Sequence, residues 1–214
     1  MTQYRHENPT ESSSCTRCGM CCIKGGPALH EEDLPLLRRE GGIDLDDLVT
    51  LRRGELAFDQ PKNTIVPLAH EIVKIKGNGG SWTCRRYHYE SRTCGMYADR
   101  PLECRVLDCH RPDAMQDVYE TGRVTRRDIL PAGHPFLELI EEHEKRCGVT
   151  QVANLVRAKD RGDGDAKDSL DAIIRYDREL RTVVRERTGM SDDAMDFLFG
   201  RSVEVLARAY SRAR

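Results

Sequence analysis

One segment, Cys15-Thr-Arg-Cys18-Gly-Met-Cys21-Cys22, places four thiols within eight residues and constrains the fold more than any other feature of the chain. A gap of two residues between cysteines lets a tight turn direct two sulfurs at one metal ion, and Gly19 eases that turn. Adjacent side chains diverge by about 100° on a helix and about 180° on a strand. We therefore expect Cys21 and Cys22 to face different metal positions. This predicts two centres that share the segment, or one polynuclear centre.

A second group of cysteines has much wider spacing. Cys84, Cys94, Cys104 and Cys109 are separated by nine, nine and four residues, so they can meet only when distant parts of the chain fold together. The two groups together supply eight thiolates, enough for two complete four-sulfur sets around either two Zn²⁺ ions or two cubane clusters. Both combinations carry the same net charge, so charge does not decide between them. The ninth cysteine, Cys147, stands alone and is predicted to be an ordinary half-buried thiol.

The cysteines are expected to bind metal rather than to form disulfides, because nothing in the sequence indicates an oxidising compartment. Residues 1–14 are polar and lack the apolar core of a secretory signal. No stretch approaches the roughly 18 apolar residues that a membrane span needs. We therefore expect a mobile tail at residues 1–14 and a cytoplasmic location. Cys15 and Cys18 also lack the βαβ surroundings of a thioredoxin-like disulfide site.

Composition limits both the partners and the core. The chain has 34 Lys and Arg against 36 Asp and Glu, a net charge of −2 that excludes a globally basic nucleic-acid binder. Only 38% of the 214 residues are hydrophobic and 6% aromatic, so a lean core is expected to need further support. The predicted organisation is a cysteine-cluster metal-binding domain over residues 15–135 and a helical extension over residues 136–214 packed on it. The predicted fold class is α+β, mainly helical, with an irregular metal-nucleated core and a small antiparallel hairpin.

Short elements are predicted in the cysteine-rich part. Residues 31–39 and 45–53 show helical patterns, and Asp44 is the expected cap of the second helix. β-Branched residues predict strands at 64–66 and 71–76.

Two further signals place cysteines of the second group. The glycine-rich turn at residues 77–80 predicts a return of the chain that delivers Cys84. Pro101 marks a helix start, which would put Cys104 on a short helix.

Beyond residue 135 the pattern becomes helical. A first helix leads to Gly148, and Thr150 is the expected cap of the next. Asp168 is predicted to cap a long helix that ends at Gly189, and Ser191 to begin a last helix that extends to Tyr210.

The motif Cys15-x-x-Cys18-Gly-x-Cys21-Cys22, then Cys84, then Cys94-Gly-Met-Tyr97-x-x-Arg100-Pro101-x-x-Cys104-Arg105, resembles the bacterial CxxCxxCC family of zinc- or iron-chelating domains. The resemblance covers roughly residues 15–110. It implies that the first cysteine run and Cys84, Cys94 and Cys104 bind the metal, whereas Cys109 is added by the count of thiolates. The spacing C-x2-C-x2-C is also that of bacterial ferredoxins. An iron–sulfur cluster, one or two of the 4Fe–4S type, is therefore favoured over two Zn²⁺ ions.

Three classes of function remain open on the sequence. The favoured one is a metal-binding accessory protein, that is a redox carrier, sensor or metallochaperone, which acts on a protein partner and not on a membrane or nucleic acid. The second is a cluster-dependent enzyme of methyl-transfer or radical type, and the third is a structural zinc module for protein or nucleic-acid interaction. No hydrolase or nucleotide-binding motif supports an enzyme, and no catalytic residue is assigned. His88 and His110 are interpreted as neighbours of the site rather than as ligands.

Overall fold

A computed structural model of the protein describes residues 18–108 and 113–212. The fold is α+β and mainly helical, with small antiparallel strand pairs, which confirms the predicted class. Cys15, Cys109, His110 and the expected tail at residues 1–14 lie outside the described residues. No helix in the described ranges is both long enough and apolar enough to cross a membrane.

The helices and strands are short in the first half of the chain and long in the second. The α-helices are α1 Met20–Lys24, α2 Leu102–Val106, α3 Asp113–Val118, α4 Arg126–Ile129, α5 Pro135–Arg146, α6 Val149–Asp160, α7 Gly164–Thr188, α8 Asp192–Phe199 and α9 Val203–Arg212. The strands are β1 Leu48–Leu51, β2 Leu56–Asp59, β3 Thr64–Pro67, β4 Ile72–Ile75, β5 Tyr87–His88 and β6 Thr93–Cys94. Three-residue turns of 3-10 helix occur at Leu45–Asp47 and Tyr97–Asp99, and a longer 3-10 helix at Glu31–Leu37.

The strands form three antiparallel pairs, β1 with β4, β2 with β3, and β5 with β6. Leu48 lies opposite Ile75 in the first pair, and both side chains are buried. Because side chains alternate between the two faces of a strand, this pair offers one apolar face to the rest of the molecule. The predicted strands at 64–66 and 71–76 are confirmed as β3 and β4.

The predicted helix at residues 45–53 is wrong. Asp44 does cap a helical turn, and the Asp47 carboxylate accepts a hydrogen bond from the Asp44 N–H in return (3.0 Å). That turn ends at once, because the following four residues pair with β4 as strand β1. The helix predicted at residues 31–39 is a 3-10 helix that contains Pro35, whose missing N–H opposes a regular α-helix.

The predicted turn before Cys84 and the predicted helix that carries Cys104 are both confirmed. Gly77 bridges Cys84 across the turn, and the Asn78 N–H donates to the Thr83 carbonyl (2.9 Å). Helix α2 begins directly after Pro101 and carries Cys104.

Three helix ends in the second half differ from the prediction. Helix α6 begins at Val149, so Thr150 lies inside it. The carboxylate of Asp163 rather than that of Asp168 caps α7, and it accepts from the Ala166 N–H (2.9 Å). Gly200 divides the expected last helix into α8 and α9, since its φ of 69° and ψ of −167° are not helical.

Two apolar cores organise the chain. The first lies where α8 packs on β1, and there Phe197, Leu198, Val73 and Leu48 are fully buried. The Thr50 hydroxyl donates to a carbonyl of α8 at 2.6 Å in the same core. The second core lies between α6, α7 and α9. The cysteine-rich part therefore shares its core with α8 and with Val184 near the end of α7, whereas α6, α9 and the earlier part of α7 form the second core.

Candidate metal centre

The first cysteine run is held by a turn that only glycine fits. Gly19 precedes α1 with φ 79°, a left-handed conformation that L side chains rarely adopt. A Cβ atom at this position would also collide with the hydroxyl end of Tyr87. The Cys84 N–H donates to the Cys22 carbonyl at 2.7 Å. This bond fixes the first cysteine run against the turn that carries Cys84.

Cys94 reaches the same place through the β5–β6 pair. It lies opposite Tyr87 in that pair, and the N–H of the next residue, Gly95, donates to the Arg86 carbonyl at 2.7 Å. Tyr87 is thus the residue that contacts the Gly19 turn on one side and holds Cys94 in register on the other.

Helix α2 presents Cys104 and is anchored by the residue beside it. The buried Glu103 carboxylate accepts from the Ala28 N–H (2.8 Å), from Arg123 (3.3 Å) and from His30 (3.4 Å). Burial alone would raise the pKa of Glu103, but His30 and Arg123 outweigh it and the pKa is lowered. Glu103 is therefore a charged anchor that fixes α2, and no sequence pattern indicated it.

The sulfurs of Cys21 and Cys22 lie 3.9 Å apart. This distance would allow both sulfurs to bind one metal ion, so the expectation that the two neighbours face different metal positions stays a prediction. The backbone directions do diverge, but each sulfur is one rotatable bond beyond Cβ, and rotation about that bond can turn both toward one side. Four sulfurs about 2.3 Å from one Zn²⁺ would be about 3.8 Å apart, so this pair could bind a single ion.

Five of the predicted ligands affect one another electrostatically. Burial, followed by Cys21, Cys84 and Cys94, raises the pKa of Cys22 to about 12. Burial also raises the pKa of Cys104, and the same neighbours together with Cys22 raise it further. The structure thus brings together cysteines from four segments of the chain. Cys18 is exposed and directly precedes Gly19.

This donor set suits zinc or an iron–sulfur cluster, because several thiolates close together select soft metals. Their high thiol pKa values mean that a bound cation must compensate the thiolate charge. Among the described residues, no three of these sulfurs lie within 4.8 Å of one another. The five sulfurs are thus more widely spaced than the ligands of one closed zinc site.

A family model described as "Putative zinc- or iron-chelating domain" matches residues 14–127, which is more than half of the chain. The chain belongs to the CxxCxxCC family. The resemblance drawn from the cysteine motif is confirmed, and so is metal chelation at the level of zinc or iron. No curated protein and no solved structure matches the chain.

The CxxCxxCC match contains the cysteine group and ends within α4, before helices α5 to α9. In this helical part, His143, Cys147 and Asp177 offer three possible ligand atoms that all lie within 4.8 Å of one another. Residues 18–108 and 113–212 contain no other such set of three His, Cys, Asp or Glu residues. The guanidinium of Arg52 donates toward His143 Nδ1 (3.4 Å), and that of Arg181 to Asp177 (2.9 Å). Two fixed cations beside this set oppose a metal ion, so the set is a buried polar network.

Cys147 belongs to that network and not to the cysteine group. It is fully buried, rather than half-buried as expected. Burial raises the pKa of its thiol to about 12.

Three arginines near the CxxCxxCC cysteines, Arg85, Arg86 and Arg105, bind carboxylates. Arg85 pairs with Asp193 (2.7 Å), and Arg105 pairs with Glu32 (3.2 Å). Arg86 does act on a cysteine, since its backbone N–H and its charge both favour the Cys84 thiolate. Burial is the larger effect, and the pKa of Cys84 is raised.

Proposed function

We propose that this CxxCxxCC protein binds an iron–sulfur cluster through its cysteine group and acts as an accessory protein in electron transfer, sensing or metal delivery. The supporting observation is the meeting of five cysteines from four separated segments. Burial alone does not require such a meeting, since buried cysteines can lie anywhere in a core. The proposed ligands are Cys15, Cys18, Cys21, Cys22, Cys84, Cys94, Cys104 and Cys109.

The spacing of the sulfurs supports a polynuclear centre over a single closed zinc site. Cys21 and Cys22 are as close as the ligands of one ion, but no third sulfur of the described cysteines lies within 4.8 Å of both. A cluster with several iron atoms binds each cysteine at a different iron and so accepts wider spacing. The close pair favours zinc as the second candidate.

Exposure supports exchange with a partner. Cys18 and Cys21 are exposed, whereas Cys84 is buried with 7% of its surface accessible. A purely structural site would enclose all of its ligands, but a carrier or sensor needs one accessible side. We infer that a protein partner approaches from the side of α1.

Anaerobic purification of the full chain, followed by iron, zinc and acid-labile sulfide analysis of one sample, tests the proposal. Iron with matching sulfide and a broad visible absorption band is expected. About two zinc atoms in a colourless protein would contradict the cluster and favour the structural zinc module.

A second measurement on the same sample distinguishes the accessory roles. Reversible bleaching by a reductant indicates a carrier or redox sensor. Loss of iron to a chelating acceptor without unfolding indicates delivery of metal. A cluster that neither reacts nor leaves would contradict both.

A further inference from the structure

A lysine beside the cysteine group, Lys74, has no anionic partner in the part of the chain that the structure describes. Lys74 is on β4, and among the described residues its amine has neither a hydrogen-bond acceptor nor an ion-pair partner. Burial lowers the pKa of Lys74. Keeping a partly buried ammonium without an acceptor costs free energy, so an acceptor from outside the described residues would stabilise it.

A second cation lies against the same aromatic ring. Lys74 Nζ is 5.7 Å from the centroid of the Trp82 ring, and the guanidinium carbon of Arg201 is 5.4 Å from it. The Arg201 Nε donates to Glu55, which leaves its two terminal amino groups for another acceptor. Trp82 remains 47% exposed, so the ring that joins the two cations reaches the solvent. We call Lys74, Trp82 and Arg201 the Trp82 site.

Charged groups of both signs lie around Lys74. Arg123 and Arg201 both disfavour its ammonium form, whereas Glu103 and Cys84 favour it. Glu103 is already engaged by Arg123 and His30 through hydrogen bonds. The amine of Lys74 and the terminal amino groups of Arg201 therefore remain as the donors of the Trp82 site that an anionic ligand could engage.

Gly25 lies close to the amine of Lys74. Gly25 passes beside it with φ 144°, and a Cβ there would lie 3.7 Å from Lys74 Nζ and 3.8 Å from the Trp82 carbonyl oxygen. Any side chain at this position would extend over the amine. The glycine therefore places no side chain over the amine.

We propose that the Trp82 site binds a small organic molecule through a carboxylate or phosphate group. The anionic oxygens accept hydrogen bonds from Lys74 and Arg201, and the carbon portion of the ligand packs on the Trp82 indole. Trp82 is two residues before Cys84, so the ligand would lie beside the cysteine group.

Trp82 is the single tryptophan of the chain, so its fluorescence reports directly on this site. The full-length protein is titrated with inorganic phosphate and, separately, with citrate, at constant ionic strength set by chloride. A saturable change in emission, matched by the same affinity in calorimetry, is expected with one of the two. Comparison of the two titrations distinguishes a phosphate site from a carboxylate site.

Three variants locate the binding. Lys74→Met and Arg201→Met should each weaken it about tenfold or more, because each removes a charged hydrogen bond. Arg201→Lys, which keeps the charge beside Glu55, should weaken it less. Lys167→Met, on the exposed face of α7, is the matched control and should bind as the wild type does.

The proposal is wrong if neither anion produces a saturable change, or if Lys74→Met binds as tightly as the control. Metal content is measured on every variant. If Lys74→Met lost metal while the wild type bound neither anion, Lys74 would only balance thiolate charge, and that result would also overturn the anion site. The metal analysis of the wild type is a separate experiment. Failure of the cluster proposal can therefore be distinguished from failure of the anion site.

Discussion

The cysteine-rich region, residues 18–108, and the helical region, α5 to α9, are stabilised by different means. The first consists of strands of two to four residues, short helices and turns, and its cysteines come together from four segments. The second contains helices of up to 25 residues around an apolar core. Short elements bury little apolar surface, and small units of this kind usually depend on a metal. The comparison indicates that the first region depends on the metal in addition to the core that it shares with α8, whereas apolar packing stabilises the second.

A buried ionic network lies where the two regions meet. The Arg126 guanidinium donates to Glu71 (2.6 Å), to Glu144 (2.8 Å) and to the Leu198 carbonyl (2.6 Å). Deeper in the helical region, Asp177 accepts from Arg181 and from the Val203 N–H (3.0 Å). Such a network is costly if one member is lost, because the others remain buried without a partner.

Removal of the metal should have the largest effect, and the effect should differ between the two regions. The free energy of binding a structural metal is about 10–16 kcal/mol for zinc, comparable with the stability of a whole domain. We expect chelation to increase amide hydrogen exchange throughout residues 18–108 and least in α6, α7 and α9. Mass spectrometry of exchanged peptides measures both regions in one sample.

The control for chelation is the same protein after metal and, where needed, sulfide are restored, which should return the exchange rates to their starting values. Equal loss of protection from hydrogen exchange in both regions would contradict the view that the two regions are stabilised by different means. So would unchanged protection of residues 18–108 in a sample verified to be metal-free.

Asp177→Asn should destabilise the helical region by about 3–5 kcal/mol, because Arg181 would lose its buried counter-charge and His143 the carboxylate to which it is hydrogen-bonded. Burial alone would raise the pKa of Asp177, but His143 and Arg181 outweigh it and lower the pKa to about 2. The wild-type carboxylate therefore contributes stability above pH 4 and loses that contribution as the pH falls toward 2, a change of about 2 kcal/mol. Denaturant unfolding as a function of pH measures both effects.

The control is Asp171→Asn, on the exposed part of the same helix, which should stay within about 0.5 kcal/mol of the wild type. Below pH 4, the Asp177→Asn protein should lose less stability than this control. If the free energy of unfolding fell equally in the two variants below pH 4, Asp177 would not be the cause of the pH dependence.

Gly19→Ala should have a smaller effect, about 1–3 kcal/mol, and it should act on the cysteine-rich region. The change combines a left-handed backbone with a collision against Tyr87. Gly41→Ala has a similar φ of 71° and open space around the new methyl group, so it isolates the backbone strain. Thermal melting of both variants should show a larger loss for Gly19→Ala, together with weaker metal retention. Equal losses would mean that the contact with Tyr87 does not matter.

The sequence predicted what depends on local pattern. The helix start at Pro101 and the return of the chain before Cys84 were both correct, because each depends on residues close together in the chain. Residues 48–51 were assigned to a helix, because a short and mostly apolar stretch is compatible with the periodicity of a helix and with that of a strand. Their strand partner, β4, is more than twenty residues away, and no local pattern reveals it.

The polar networks could not be predicted for the same reason. His143 and Asp177 are 34 residues apart on different helices, and Lys74 and Arg201 meet only at the ring of Trp82. Each of these residues looks like an ordinary surface residue in its own segment. The roles of Cys15 and Cys109 as ligands remain predictions, since both lie outside the described residues.

The most direct test of the metal centre compares two buried cysteines, Cys84 and Cys147. Both thiols have a pKa raised by burial, but only Cys84 lies with the other cysteines of the group. Each is replaced by serine, and the metal content of the folded protein is measured after anaerobic purification. Cys84→Ser should lose metal, and Cys147→Ser should retain the wild-type amount. Wild-type metal content in Cys84→Ser would contradict the assignment of the cysteine group as the metal centre.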